Sequence, residues 1–139
     1  MKRTWVYNPH TGGQKIKALD QPLIRERLQA YAQKHYAGKF TRLDVRFRGA
    51  LCYVDAYTEP TSPSKALLKL RGETKEQYFK FMRNLPTHLC RLRRLHGDDR
   101  WSVAFYAYSS ERYEPCLFPG GSWTGTLEDG FEVGATYLT

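Results

Sequence analysis

The chain has 139 residues, of which 41% are hydrophobic and 26% charged, and its net charge is +8 at pH 7. These proportions exclude a disordered or fibrous chain, and the length predicts one domain spanning residues 1–139. No apolar run approaches the roughly 20 residues of a membrane span, and the N-terminus turns polar before a signal-peptide core forms, which predicts a cytoplasmic protein with no membrane partner. The basic charge favours a polyanionic partner, either nucleic acid or an acidic protein.

The N-terminal part of the chain predicts a short strand, a turn and one helix. The strand is expected around residues 5–7, and an Asn-Pro-His-Thr-Gly-Gly turn follows it. Asp20 is the predicted N-cap of a helix that ends at about Tyr36, just before Gly38. The apolar stripe of this helix comprises Leu23, Ile24, Leu28, Tyr31, Ala32 and His35.

Polar and apolar residues alternate along the next two segments, which predicts a β-hairpin around the loop Gly49-Ala50. One face of the hairpin is buried and the other is exposed. The predicted buried pairs are Phe47 with Cys52, Val45 with Val54, and Leu43 with Ala56. The predicted exposed pairs are Arg46 with Tyr53, Asp44 with Asp55, and Arg42 with Tyr57.

Directly opposed aspartates repel each other, so Asp44 and Asp55 need a compensating charge. One interpretation is that Arg42, Arg46 and Arg48 neutralise both carboxylates. A second is that Asp44 and Asp55, with Glu59 beyond the strand end, chelate a divalent metal as nucleases do. A third is that a one-residue shift of the turn removes the pairing.

The remaining chain predicts a loop, a second helix, three more strands and a last helix. Residues 60–73 form the loop, and Thr74 with Gln77 makes a capping box for the second helix. The inward stripe of this helix comprises Tyr78, Phe79, Met82 and Leu85. A second hairpin pairs Cys90 with Phe105 and Leu92 with Val103, and its other face carries Arg91, Arg93, Ser102, Tyr106 and Tyr108. A fifth strand follows at residues 113–118. Thr126 caps a last helix that buries Leu127, Phe131, Ala135 and Leu138.

Three cysteines stand at positions 52, 90 and 116. Their number is odd and they lack paired spacing, so we expect buried reduced thiols rather than disulfides or a zinc site.

Together these elements predict an α+β fold, in which an antiparallel sheet of about five strands has three helices packed mainly on one face. The exposed sheet face then combines arginines with tyrosines, and such a surface is typical of proteins that bind single-stranded nucleic acid. The predicted function is therefore a basic nucleic-acid-binding module without sequence specificity, cofactor or metal. Its predicted binding residues are Arg42, Arg46, Arg48, Tyr53, Tyr57, Arg91, Arg93, Tyr106 and Tyr108.

Two alternatives to nucleic-acid binding stay open at this point. The first is an accessory protein whose basic face binds an acidic protein partner. The second is a small nuclease, either metal-dependent through Asp44, Asp55 and Glu59, or metal-free through a histidine such as His88 with a neighbouring arginine.

The segments "WVYNPHTGGQKI", "RFRGALCYVDAYTEP" and "THLCRLRR" resemble segments of a family of small bacterial proteins that have no assigned function. The resemblance covers most of the chain. It implies a bacterial origin and brings no activity with it.

Overall fold

The computed structural model describes residues 12–138. In chain order these form α1 (Gln21–Tyr36), β1 (Arg42–Arg48), β2 (Leu51–Tyr57), α2 (Lys65–Arg71), α3 (Lys75–Arg83), β3 (Thr87–Arg94), β4 (Trp101–Ala107), β5 (Arg112–Cys116), α4 (Leu127–Gly134) and a 3₁₀ helix (Ala135–Leu138). The α+β class is confirmed, but residues 12–138 contain four α-helices rather than three. The strand predicted around residues 5–7 lies outside the described residues.

The five strands form one antiparallel sheet in which every strand pairs with the next along the chain, in the order β1-β2-β3-β4-β5. The predicted register of both hairpins is confirmed. Gly49 has a φ of 59°, a left-handed value that glycine adopts at no steric cost. The two-residue loop that it opens fixes the β1–β2 register, including Asp44 opposite Asp55.

One face of the sheet is covered by α1 and α4, and the core lies between them and the strands. Gly134 permits a close approach, because a Cβ atom there would lie 2.6 Å from the backbone carbonyl of Leu89. The hydroxyl oxygen of Thr126 accepts a hydrogen bond from the Asp129 amide, as predicted for the α4 N-cap. The residues predicted to be buried by the last helix are all buried: Leu127, Phe131, Ala135 and Leu138.

Asp20 occupies the predicted N-cap position of α1, but its side chain makes no capping hydrogen bond. Its backbone lies in the helical region at φ −84° and ψ −21°, whereas an N-cap residue that accepts amide hydrogens is usually extended. Its carboxylate instead accepts a hydrogen bond of 2.8 Å from Arg94 Nη1. Helix α1 nevertheless begins at Gln21 and buries Ile24, Leu28 and Ala32 of the predicted stripe, while Leu23 is exposed.

The segment 60–73 was predicted as a loop, but part of it is the helix α2. Ser64 caps this helix by accepting a hydrogen bond from the Leu67 amide, and Gly72 ends it in a left-handed conformation with a φ of 66°. The capping box of α3 is confirmed, with both hydrogen bonds between Thr74 and Gln77 present. Of the inward stripe predicted for α3, only Tyr78 is buried, and Leu85 is exposed.

The three cysteines are free thiols. Cys52 and Cys90 are buried in the core and Cys116 is half-buried. Burial raises the pKa of the Cys52 thiol to about 12, so this side chain stays protonated at neutral pH. Among the helices of residues 12–138, none has the length and apolar character to span a membrane.

Candidate nucleic-acid interface

The sheet face opposite α1 and α4, which we name the open face, brings the predicted binding residues together. The strand registers align Arg42 with Tyr57, and they align Arg46, Tyr53 and Arg91 in one row across β1, β2 and β3. Tyr106 lies on the same face of β4. Tyr108 follows the end of β4, and its ring centroid is 4.7 Å from that of Tyr106.

Arg93 departs from the predicted exposure. It lies on the open face opposite Ser102, but only 9% of it is accessible. Its Nη1 atom donates a hydrogen bond of 2.8 Å to the carbonyl oxygen of Gly12, because the segment before α1 crosses this end of the sheet. Gln14 in that segment donates its amide hydrogen to the Arg94 carbonyl. Arg93 therefore holds the N-terminal segment in place.

Guanidinium groups lie over several of the tyrosine rings. Arg42 lies 4.0 Å from the centroid of the Tyr57 ring. Arg46 lies 5.1 Å from that of Tyr53. Arg91 lies 5.3 Å from that of Tyr113, a residue of the edge strand β5. Cation–π contacts of this kind hold each guanidinium group against the face of its tyrosine ring.

The positive charge of the open face is only partly neutralised. Within residues 12–138, Arg42, Arg48 and Arg91 have no salt bridge to a carboxylate. Arg46, by contrast, lies 3.0 Å from Asp55 and 3.7 Å from Asp44. The unneutralised guanidinium groups are free to bind phosphate oxygens.

Asp55, which was predicted to be exposed, is instead a buried charge at the centre of the open face, with only 3% of the residue accessible. A buried carboxylate requires partners, and Asp55 has one on each neighbouring strand. Arg46 Nη2 donates to Oδ2 at 3.0 Å, and His88 Nδ1 lies 2.8 Å from Oδ1. Arg46 therefore compensates the charges of both opposed aspartates, and His88 adds a hydrogen bond to Asp55, whereas Arg42 is stacked on Tyr57 and Arg48 contacts neither carboxylate.

A β-bulge places His88 on the open face. The register between β2 and β3 pairs Val54 with Cys90 but Asp55 with His88, so Leu89 is an additional residue on β3. Leu89 and Cys90 are both buried, as the bulge requires. Strict alternation from Cys90 would have placed His88 on the covered face. Bulges are common next to functional sites because they redirect a side chain in this way.

Tyr113 completes the cluster around Asp55 and His88. Its ring lies 5.6 Å from that of Tyr53 and 6.3 Å from that of His88. Its hydroxyl oxygen is buried and has no hydrogen-bond partner among residues 12–138. Burial, together with the negative charge of Asp55, raises the pKa of Tyr113, so the hydroxyl stays protonated and able to donate.

These groups surround a depression on the open face with a volume of about 520 Å³. Its lining comprises Arg46, Phe47, Arg48, Tyr53, His88 and Tyr113. A volume of this size is within the range of pockets that hold small organic groups.

Asp44 and Asp55 face each other across the first hairpin, but Glu59, the third residue named for a metal-dependent nuclease, does not join them. Glu59 is bound to Arg83 of α3 through contacts of 2.8 to 3.2 Å, while Asp55 is held by Arg46 and His88. Within residues 12–138, no group of three or more His, Cys, Asp or Glu side chains is arranged to hold a metal ion.

Sequence reasoning named His88 and the arginines but missed Tyr113 and the contact between His88 and Asp55. In the sequence of the edge strand β5, nothing distinguishes Tyr113 from an ordinary outward-facing residue. No protein-family model matches the sequence, and neither a curated protein nor a solved structure matches it.

Proposed function

We propose that this protein binds single-stranded nucleic acid along the open face, without sequence specificity. One observation carries the proposal. On the open face, arginines that have no carboxylate partner among residues 12–138 lie beside tyrosine rings that each have a guanidinium group over them. The arginines are Arg42, Arg48 and Arg91, and the rings are those of Tyr53, Tyr57 and Tyr113.

The physical basis is that the two side-chain types serve the two parts of a nucleotide. Guanidinium groups bind phosphate oxygens, and flat rings stack on bases of any identity. Stacking contributes about 1 to 3 kcal/mol per base, so a few rings suffice for useful affinity. Base edges can be read only by donors and acceptors placed against them, and the arginine–tyrosine alternation provides contacts to phosphate and ring faces instead.

A second candidate is an accessory protein that binds an acidic partner through the segment 65–83. This segment has six basic and two acidic residues. It also exposes Leu67, Leu70 and Phe81, and Leu85 follows it. An acidic protein with apolar side chains would complement this surface.

The test is a titration of labelled single-stranded oligonucleotide at several salt concentrations. The variant is the double substitution Arg48→Gln with Arg91→Gln, which removes charges without breaking a salt bridge. We expect weaker binding and a slope of log Kobs against log[salt] that is shallower by about 1.4, because each phosphate contact to a single strand contributes about 0.7.

The matched control is Lys34→Gln with Lys69→Gln. It removes the same charge from exposed positions on α1 and α2 and should leave affinity and slope close to wild type. Equal loss of affinity in both double variants would show that binding depends on net charge alone and not on the open face. Loss in the control alone would move the binding surface to the helices. Both results would contradict the proposal.

A further inference from the structure

We infer that the Asp55–His88 pair is the centre of a metal-free ribonuclease site, in which His88 accepts the proton of a ribose 2′-hydroxyl. The inference rests on the proposed function, because the strand must lie on the open face before His88 can reach it. It narrows the ligand to RNA, since DNA lacks the reacting hydroxyl.

The hydrogen bond between His88 and Asp55 sets the state of the imidazole. An ionised carboxylate can only accept, so Nδ1 must carry the proton that it shares with Asp55 Oδ1 at 2.8 Å. In the neutral ring Nε2 is then an acceptor, and it has no hydrogen-bond partner among residues 12–138. Asp55 is thus a positioning residue that orients the ring, and the imidazole is the proton acceptor.

The surroundings of His88 hold the ring in place while leaving it accessible. Its backbone amide donates to the hydroxyl of Tyr108 at 2.8 Å, and its ring lies 4.7 Å from that of Tyr106. The His88 side chain is 31% exposed and borders the depression of about 520 Å³. A general base needs this combination of fixed orientation and open access.

The other residues lining the depression match the charge of a phosphodiester. Arg48 borders it without a carboxylate partner among the described residues, so its guanidinium group is free to hold a non-bridging oxygen. Donors of this kind stabilise the charge that develops on phosphorus oxygens in the transition state.

The reaction is an internal transfer and needs no co-reactant. The 2′-oxygen forms a bond to phosphorus as its proton passes to His88 Nε2, and the bond from phosphorus to the 5′-oxygen breaks. The 5′-oxygen takes a proton from solvent, and the imidazolium returns its proton to solvent. The products are a 2′,3′-cyclic phosphate and a 5′-hydroxyl, and no metal or redox step takes part.

The experiment follows cleavage of an end-labelled single-stranded RNA in EDTA and measures binding of the same RNA by the same preparations. The variants are His88→Ala and His88→Gln. The control substrates are DNA and 2′-O-methyl RNA of the same sequence. We expect cyclic-phosphate ends from RNA only and a cleavage rate about 10² to 10⁴ lower in both variants, with affinity within about twofold of wild type.

The outcomes separate this inference from the proposed function. RNA that is bound but stays intact would overturn the ribonuclease site and leave nucleic-acid binding standing. Cleavage that persists at the wild-type rate in both His88 variants would also overturn it. A wild-type protein that binds neither RNA nor DNA would remove the proposed function and the inference together.

Discussion

The two sides of the sheet differ in whether their polar side chains have hydrogen-bond or ionic partners. On the helix-covered side, Arg27 of α1 donates to Asp99 and to Glu128 at 2.6 to 2.8 Å. The hydroxyls of Tyr31 and Tyr36 both donate to Glu132. The hydrogen bond from Tyr36, together with burial, raises the pKa of Tyr36 to about 12. On the open face, by contrast, the guanidinium groups of Arg42, Arg48 and Arg91 have no carboxylate partner within residues 12–138, and the buried hydroxyl of Tyr113 has no hydrogen-bond partner there.

This difference separates the groups that stabilise the fold from the groups on which the proposed function depends. Paired polar groups and close glycine contacts on the covered side stabilise the fold. Unpaired donors on the open face contribute little to stability, and a buried one lowers it. Proteins retain unpaired donors mainly at functional sites, where a ligand can supply the missing hydrogen-bond acceptor. Substitutions on the covered side should therefore change unfolding, and substitutions on the open face should change binding.

The largest expected effect comes from Gly134→Ala. The added Cβ would lie 2.6 Å from the carbonyl carbon and oxygen of Leu89, and backbone cannot move aside cheaply. We expect the free energy of unfolding, measured by urea denaturation, to fall by about 3 kcal/mol. The control is Gly120→Ala, where a Cβ meets nothing within 4 Å. Equal urea midpoints for the two variants would refute the close approach of α4 to β3.

A smaller effect of opposite sign is expected from Tyr113→Phe. This change removes a buried hydroxyl that has no partner in the described part of the chain, so the free energy of unfolding should rise by about 1 kcal/mol. Tyr137→Phe is the matched change, because that hydroxyl donates to the Tyr106 carbonyl at 2.6 Å, and it should lower stability by about 1 kcal/mol. If both substitutions destabilise the protein equally, Tyr113 has a partner within the folded chain.

The smallest effect, about 0.5 kcal/mol because the ion pairs are partly exposed to solvent, is expected from Arg27→Met and should depend on pH. Partial burial raises the pKa of Asp99, but hydrogen bonds from Arg27 and Trp101 outweigh it, so the pKa lies below its ordinary value of 3.8. Arg27 likewise lowers the pKa of Glu128 from 4.5. A lowered folded-state pKa stabilises the protein above the unfolded-state value, and this stabilisation is lost as the pH falls through the folded-state value.

Wild type and Arg27→Met should therefore differ in unfolding free energy at pH 7 and converge as the pH falls below about 4. Lys34→Met, an exposed change on the same helix, should show little difference at either pH. A constant gap between wild type and Arg27→Met from pH 7 to pH 3 would show that packing of the arginine stem, rather than its ion pairs, accounts for the loss.

The sequence was sufficient to predict both hairpin registers, because residue alternation favours the pairing that buries the apolar side chains, and in the first hairpin the loop at Gly49 supports the same register. The bulge at Leu89 was not predictable in this way. Whether β3 contains an extra residue depends on how it pairs with β2, and the alternation within β3 does not show this pairing. The contact between His88 and Asp55 was therefore missed. Helix α2 was missed because the prolines and serines before it favour a loop, while its cap at Ser64 acts over one turn only.

The central claim is that nucleic acid lies on the open face, and an NMR titration of ¹⁵N-labelled protein with single-stranded RNA tests it most directly. Backbone amide signals of β1, β2 and β3 should shift together with the arginine side-chain signals of β1 and β3. The signals of outward-facing residues on α1 and α4 should stay unchanged. Shifts confined to α2 and α3, or spread evenly over all exposed lysines and arginines, would contradict the account.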